Sequence, residues 1–468
     1  MIDVAVIGAG LGGLAAAVHC ARAGLDVAVF ERGPVAGGFA ATWRRGPYTF
    51  EASLHALDGV GPGEPNRRVF EALGIADDLA FVRAPSVRTE IWPDGRRFDV
   101  PVGRAALGDL LATTWGCRVD GLLDAAAGVH RASYAALLDG ADAGRELRAH
   151  AGLTGAEVLA RSVDHPDAQL LLGGIASWQG GTADTIAGVN LLLLLHGYHV
   201  LGGSVPRGGS AAIVAALVRR LTEAGGRLHL DRPVDAIRVS GRRVRGVSVG
   251  GEAIDARHVV SAIAPAVTFG SLLPPDRVPA PWARRLAALE PSGSLLRLTA
   301  GLRSAPALPH EALVRREGPG LAITARHVLD PGAAPAGAGV LSVSTPWPAG
   351  ASLPAEEKAH HTERLIAGAE QALGVGLRGQ LEHVELAHPG TYARYAGTPG
   401  GAVFGHPPLL RQSGARALGA ETPIPHLWQA GAWVFPGPGQ TAALISGRLA
   451  AHRILQACGR PDGVRPAG

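Results

Sequence analysis

The stretch Val6-Ile7-Gly8-Ala9-Gly10-Leu11-Gly12-Gly13 constrains this chain more than any other. Residues Ile2 to Ile7 read as a buried parallel strand, and the glycines supply G-x-G-x-x-G where that strand turns into a helix. Each glycine has a mechanical use. Gly8 permits the tight turn, Gly10 lets backbone approach a pyrophosphate, and Gly13 lets the helix lie close to the strand. Phosphates in front of Leu11 and Gly12 then meet free N–H groups and the positive end of the helix. The helix, Leu14 to Ala23, stops at Gly24; Asp26 to Phe30 forms a second strand, and Glu31 stands 18 residues beyond Gly13, where a carboxylate accepts both ribose hydroxyls. Glycines alone say little in a chain with 66 of them, but strand, turn, helix, strand and acid together predict a dinucleotide site. The acid disfavours a ribose 2′-phosphate, since like charges would meet there.

A chain of 468 residues, 47% of them hydrophobic, is long enough for two domains with sizeable cores. Forty-four basic against forty acidic residues leave +4, Lys358 is the only lysine, and no basic run carries interleaved aromatics, so a nucleic-acid partner is not expected. Cys20, Cys117 and Cys458 are too scattered for a disulfide framework or zinc site, and His360 and His361, adjacent on a helix, point apart; no metal is expected. A first strand at Ile2 leaves no room for a signal peptide, and the longest apolar run, Leu191 to Leu195, is far short of the roughly 20 residues a bilayer span needs. A cytoplasmic protein, at most peripheral to a membrane, is expected.

Beyond Glu31 the chain reads Arg32-Gly33-Pro34-Val35-Ala36-Gly37-Gly38-Phe39-Ala40-Ala41-Thr42, then Gly46-Pro47-Tyr48-Thr49-Phe50-Glu51. This resembles the E-x-x-x-x-x-G-G-x-x-x-T…G-Y-x-F-D segment of the phytoene desaturase, carotenoid isomerase and retinol saturase group, within the wider amine-oxidase-like flavoproteins. The resemblance implies FAD as cofactor, with Arg32, Gly37, Gly38 and Phe39 beside it. Phe39 stands where many relatives carry arginine, so phosphate binding would lean on backbone N–H groups. Glu51-Ala52-Ser53-Leu54-His55-Ala56-Leu57-Asp58-Gly59 looks like the F-D-x-G-L-H-x-x-G stretch that lies along the isoalloxazine, which implies that Ser53 and Leu54 border the ring. There His55 either relays a proton or orients substrate, or is a structural histidine bonded to backbone. Glu51 replaces the usual Asp.

Two later segments repeat the resemblance. Pro206-Arg207-Gly208-Gly209-Ser210 precedes a helix with Ser210 as expected N-cap, followed by a meander of strands whose Val234 maps to the adenine-contacting valine. Near the end, a strand and the loop Gly431-Ala432-Trp433-Val434-Phe435-Pro436-Gly437-Pro438-Gly439 run into an apolar helix through Gln440 and Thr441. The resemblance places Gly431, Ala432, Gly439, Gln440 and Thr441 at the flavin's pyrimidine end; an Asp that some members carry is missing. Thr391 to Gly405 resembles R-Y-x-G-x-x-G-G-A-x-x-G, so Tyr395, Phe404, Trp433 and Phe435 are expected to line the pocket, ordinary core packing being the alternative.

The expected fold is α/β, a Rossmann-like FAD-binding domain of glutathione-reductase or amine-oxidase type with an interleaved α+β substrate domain. Residues 1–100, 202–275 and 405–468 are assigned to the former and 101–201 and 276–404 to the latter. His55, Tyr395 and Trp433 are the candidate catalytic residues. No second G-x-G-x-x-G unit serves NAD(P)H, so electrons pass to oxygen or a quinone, or return to the substrate in an isomerisation. The expected activity is desaturation, saturation or cis/trans isomerisation of a long apolar polyene-type chain in an apolar tunnel, with possible peripheral membrane contact. An amine or amino-acid oxidase is the alternative, disfavoured because many such enzymes carry a lysine near flavin N5 and Lys358 lies far from the motifs. A non-enzymatic isoprenoid carrier is the third reading, disfavoured by the intact glycines.

Overall fold

The computed structural model describes residues 1–460. Its strands sort into two seven-stranded sheets and two smaller ones. In the first large sheet, Arg227–His229, Val27–Phe30, Ile2–Ile7, Glu252–Ser261 and Leu427–Gln429 lie parallel in that order. These strands are apolar on both sides because both sides are covered. Val4, Val6, Val27 and Val29 pack against helices Leu11–Arg22, Ser210–Glu223 and Gln440–Ala457. Ala5, Ile7, Ala28 and Phe30 pack against Ile237, Val244, Val247 and Val249 of the antiparallel meander. The first and last helices cross at very short range, with small residues at the crossing: a Cβ on Gly447 would strike the Gly12 carbonyl oxygen and come within 2.8 Å of Ala15 Cβ.

The second large sheet runs Leu381–Ala387, Ser294–Leu302, Gly339–Trp347, Leu321–Ala325, Glu311–Val314, Ser86–Ile91, Arg97–Pro101. One face, with Leu296, Leu298, Ala300, Ile323 and Val343, is buried beneath Leu365, Ile366 and Ala369 of helix Ala355–Leu373. A helical block over residues 104–201 forms its own core around Leu107, Leu111, Leu122 and Leu191.

Some elements lie differently from the sequence expectation. Strands Ser86–Ile91 and Arg97–Pro101, which lie inside the first segment assigned to the cofactor domain, pair into the second sheet. Their charges hide the strand: Arg88 and Glu90 are both fully buried, paired at 2.6 Å, with Arg315 on the other Glu90 oxygen at 2.6 Å. Ser210 is not an N-cap; the cap is Gly209 at φ +71°, and Ser210 is the first helical residue, donating its N–H to Glu51 Oε1 at 2.6 Å. The apolar run around Leu191 to Leu195 lies on a largely buried helix, Gly188–Leu194, which passes at Leu195 into a π-helix through Leu201. Residues 461–468 of the expected third cofactor segment lie outside the described residues.

Candidate functional site

The glycine turn is built as the spacing requires. Gly8 sits at φ +93°, and a Cβ on Gly13 would strike the Gly8 carbonyl oxygen, so neither position takes a side chain. Gly12 is held by the other end of the chain: its Cβ would lie 2.5 Å from Gly431 N. Gly431 N itself donates to Ser446 Oγ at 2.7 Å, which fixes the last loop against the first helix, with Ala432 next to it against Gly405. A Cβ on Gly10 meets nothing within 4 Å, so backbone there is open in front of the helix start, beside buried Leu11.

Glu31 Oε2 accepts from Ala9 N and Oε1 from Gly33 N, each at 2.8 Å, which aims the carboxylate at the turn and leaves lone pairs for hydroxyls. Gly37 donates to the Ala9 carbonyl at 2.8 Å and pairs with Gly10, so Gly37 and Gly38 lie along the turn. Ser53 Oγ donates to the Phe39 carbonyl at 2.7 Å, next to buried Leu54. Val234 opens the meander opposite Val249, just after Asp231 and Arg232 bond back to Gly33 and Glu31. Gly439, at φ +122°, caps the last helix, whose first residues are Gln440 and Thr441. Gln440 Nε2 donates to Ser210 Oγ at 2.7 Å while its buried Oε1 has no partner. Thus Glu51, Ser210 and Gln440, from three distant segments, form one buried chain, closed by an ion pair between Glu51 and Arg326.

These residues fit FAD. Open backbone at Gly10, a carboxylate held at the turn, two helix N-termini and the orphaned Gln440 oxygen match a pyrophosphate, a ribose and a polar ring edge. One expected contact does not fit: Arg32 turns outward, its Nη2 donating to the Arg394 carbonyl at 2.5 Å. Helix Pro389–Ala396 ends there, and its carbonyls attract the guanidinium more than the glycine turn does.

The second sheet's other face meets the Glu51 to His55 loop. Register places Arg297 opposite Ser344, Thr299 opposite Ser342, Ser342 opposite Thr324 and Thr324 opposite Glu311, so these side chains share one face. That face of the sheet is polar. His55 Nδ1 lies 2.9 Å from Glu311 Oε1, and the imidazole stacks on Trp178 with centroids 5.1 Å apart and planes at 9°. Burial works to raise the Glu311 carboxyl, but His55, the Thr324 hydroxyl and His310 together hold it below the usual carboxylate range. The carboxylate therefore takes Nδ1–H and leaves Nε2 as the free edge of the ring. His55 is thus bonded to a carboxylate, not to backbone.

The other two candidate catalytic residues are placed differently. Tyr395 is 74% exposed with the Arg394 guanidinium over its ring at 5.4 Å, so it does not line the pocket. Tyr392, one helical turn earlier, is the inward residue, 7% exposed, its ring 6.2 Å from Phe39. Trp433 is buried among Ala264 and Ala402, edge-on to His406 at 5.0 Å, whose Nδ1 reaches the Trp433 carbonyl at 2.9 Å. It packs as core.

Sequence reasoning missed Arg297, Glu311, Trp178 and Tyr392. They become neighbours only through strand register and helix phase. One signal was present: Arg297 is the single charge inside the apolar strand Leu295 to Leu302.

Comparison with known proteins agrees with this geometry. The chain is 27% identical over 498 residues to hydroxyneurosporene desaturase of Cereibacter sphaeroides, covering 97% of each. It is 26% identical over 512 residues to the lycopene-forming phytoene desaturase of Pseudescherichia vulneris, covering 97% of this chain and 99% of that one. Putrescine oxidase bound to putrescine shares the fold, with a TM-score of 0.68 at 17% identity, over 98% of this chain and 99% of that one. The model of flavin containing amine oxidoreductases matches residues 11–455. The chain belongs to that family and is an FAD-dependent oxidoreductase.

Proposed function

We propose that this enzyme desaturates, saturates or isomerises carbon–carbon bonds of a long polyene-type chain. The observation that carries the reading is the end-to-end similarity to two carotenoid desaturases, spanning 97% of the chain in each case. Bound at the glycine turn, FAD supplies a two-electron acceptor for hydride. The chain's own residues do the rest. Gly10, Gly37 and the helix N-termini hold phosphates, Glu31 holds ribose, and the Ser53 to His55 loop borders the reacting face. Glu311 keeps His55 in one tautomer, so that Nε2 accepts or returns the proton that accompanies hydride movement. Trp178 holds the imidazole plane and excludes water from it. With FAD bound, electrons removed in a desaturation would pass to oxygen or a quinone, an isomerisation would return them to the same chain, and a saturation would need a diffusing two-electron reductant.

An amine substrate is the second reading, favoured by the family description and by the fold likeness to putrescine oxidase. The only lysine, Lys358, sits on helix Ala355–Leu373, which covers the opposite face of the second sheet from His55. The test is anaerobic mixing of the flavin-loaded enzyme with carotenoid precursors, retinoids, polyene acids and amines. Flavin bleaching by a polyene supports the proposal; bleaching by an amine and by no polyene overturns it. Peripheral membrane contact follows from an apolar substrate. Among the described residues no helix is long and apolar enough to cross a membrane. Co-sedimentation with liposomes at low and high salt supports contact, and its absence at both contradicts it.

A further inference from the structure

On the polar face of the second sheet, Arg297 touches no carboxylate among the described residues, although the Glu311 charge nearby favours its protonated form. Arg297 is 7% exposed. Its Nη1 donates to Ser344 Oγ at 3.2 Å and its Nη2 to the Glu51 carbonyl at 3.4 Å, both long, and its Nε has no partner. A guanidinium carries five N–H donors, so most of its capacity is unspent. The nearby carboxylates are taken: Glu311 by His55 and Thr324, Glu51 by Ser210 and Arg326. Beside Arg297 stands the Tyr392 phenol, buried, with an unpartnered hydroxyl. Burial raises this phenol to about 12, against the opposing pull of the Arg297 charge, so it stays a neutral O–H donor.

A buried, unpaired guanidinium next to an unpaired phenol is costly to keep unless something supplies acceptors. Planar, bidentate recognition is what a guanidinium does best, and a carboxylate offers the matching geometry and charge. A pure hydrocarbon chain leaves both groups unsatisfied. Resting on the polyene reading, we propose that the substrate is a polyene-type chain bearing a carboxylate, which Arg297 and Tyr392 bind while the conjugated chain lies beside His55.

The experiment uses the flavin-loaded full chain and a matched probe pair, all-trans-retinoic acid and its methyl ester, with dissociation constants read anaerobically from perturbation of the flavin spectrum. The wild type is expected to prefer the acid by on the order of tenfold or more, and Arg297→Met to lose roughly that factor for the acid with little change for the ester. Arg297→Lys should restore part of it. Where Arg297→Met fails to fold or to hold flavin, Tyr392→Phe carries the test, with a severalfold loss for the acid alone. No acid preference in the wild type, or a preference that survives both substitutions, overturns the proposal. So does an Arg297→Met enzyme whose affinity for sulfite, a probe of the flavin ring, changes while acid preference is intact, since Arg297 then serves the cofactor. Bleaching by a hydrocarbon polyene without acid preference sinks this inference and leaves the polyene reading standing. Bleaching by amines alone sinks the reading itself.

Discussion

The crossing of the first and last helices and the polar face of the second sheet are both buried, and they are assembled in opposite ways. At the crossing, Gly12, Ala15 and Gly447 bring backbone to backbone, and nothing larger fits. On the sheet face, Arg297, Glu311, Thr324 and Ser344 arrive from four strands and work only through their side chains. The first region underlies the proposed site for a cofactor shared by many enzymes; the second is the face proposed to select the substrate. A backbone site tolerates no added atom, whereas a side-chain site tolerates substitution and changes what it does.

The largest effect expected is at the crossing. Gly447→Val pushes a branched side chain into the Gly12 carbonyl and should cost roughly 3 kcal/mol or more, with loss of bound flavin, as a thermal melt and the visible absorbance of the purified protein would record. Next is Asp58, behind the His55 loop, whose carboxyl burial raises to about 6 from 3.8. Below about pH 4 both folded and unfolded chains hold this proton; between there and 6 only the folded chain keeps it. Asp58 alone should therefore contribute a loss of up to about 3 kcal/mol as pH rises through that window and then level off, against the opposite trend of carboxyls such as Glu90 and Glu311 that their partners hold down. Denaturant titrations at stepped pH should show this decline shrinking in Asp58→Asn.

Smaller effects separate the two regions. Glu311→Gln removes the charge that holds the imidazole while leaving an amide able to bond it and Thr324, and should slow anaerobic flavin reduction by a bleaching polyene about 10- to 100-fold with flavin content unchanged. The same loss in His55→Gln, without further loss in the double variant, would mark the pair as one unit. Tyr395→Ala, on an exposed ring, should change stability by less than about 0.5 kcal/mol and leave reduction rates within about twofold.

The same contrast explains what was legible in the sequence. Glycine spacing, the acid at Glu31 and the strand–loop–helix at Gln440 report backbone geometry, which local residues dictate, and each lies where its spacing placed it. The helix phase that turns Tyr392 inward and Tyr395 outward depends on what the helix packs against, so two tyrosines three residues apart were indistinguishable. Strand Ser86–Ile91 was unreadable for a similar reason: Arg88 and Glu90 mimic a solvated face until Arg315, more than two hundred residues on, completes the triad. The outward turn of Arg32 depends on a helix end still farther away in the chain.

The most direct test of the account is a crystal structure of the enzyme purified with its FAD. The ring should lie between the Ser53 to His55 loop and the Gln440 helix start, the adenosine ribose on Glu31, and the open face toward His55, Glu311 and Arg297. Density that puts the ribose away from Glu31, or the reactive face of the ring away from the second sheet, would contradict it.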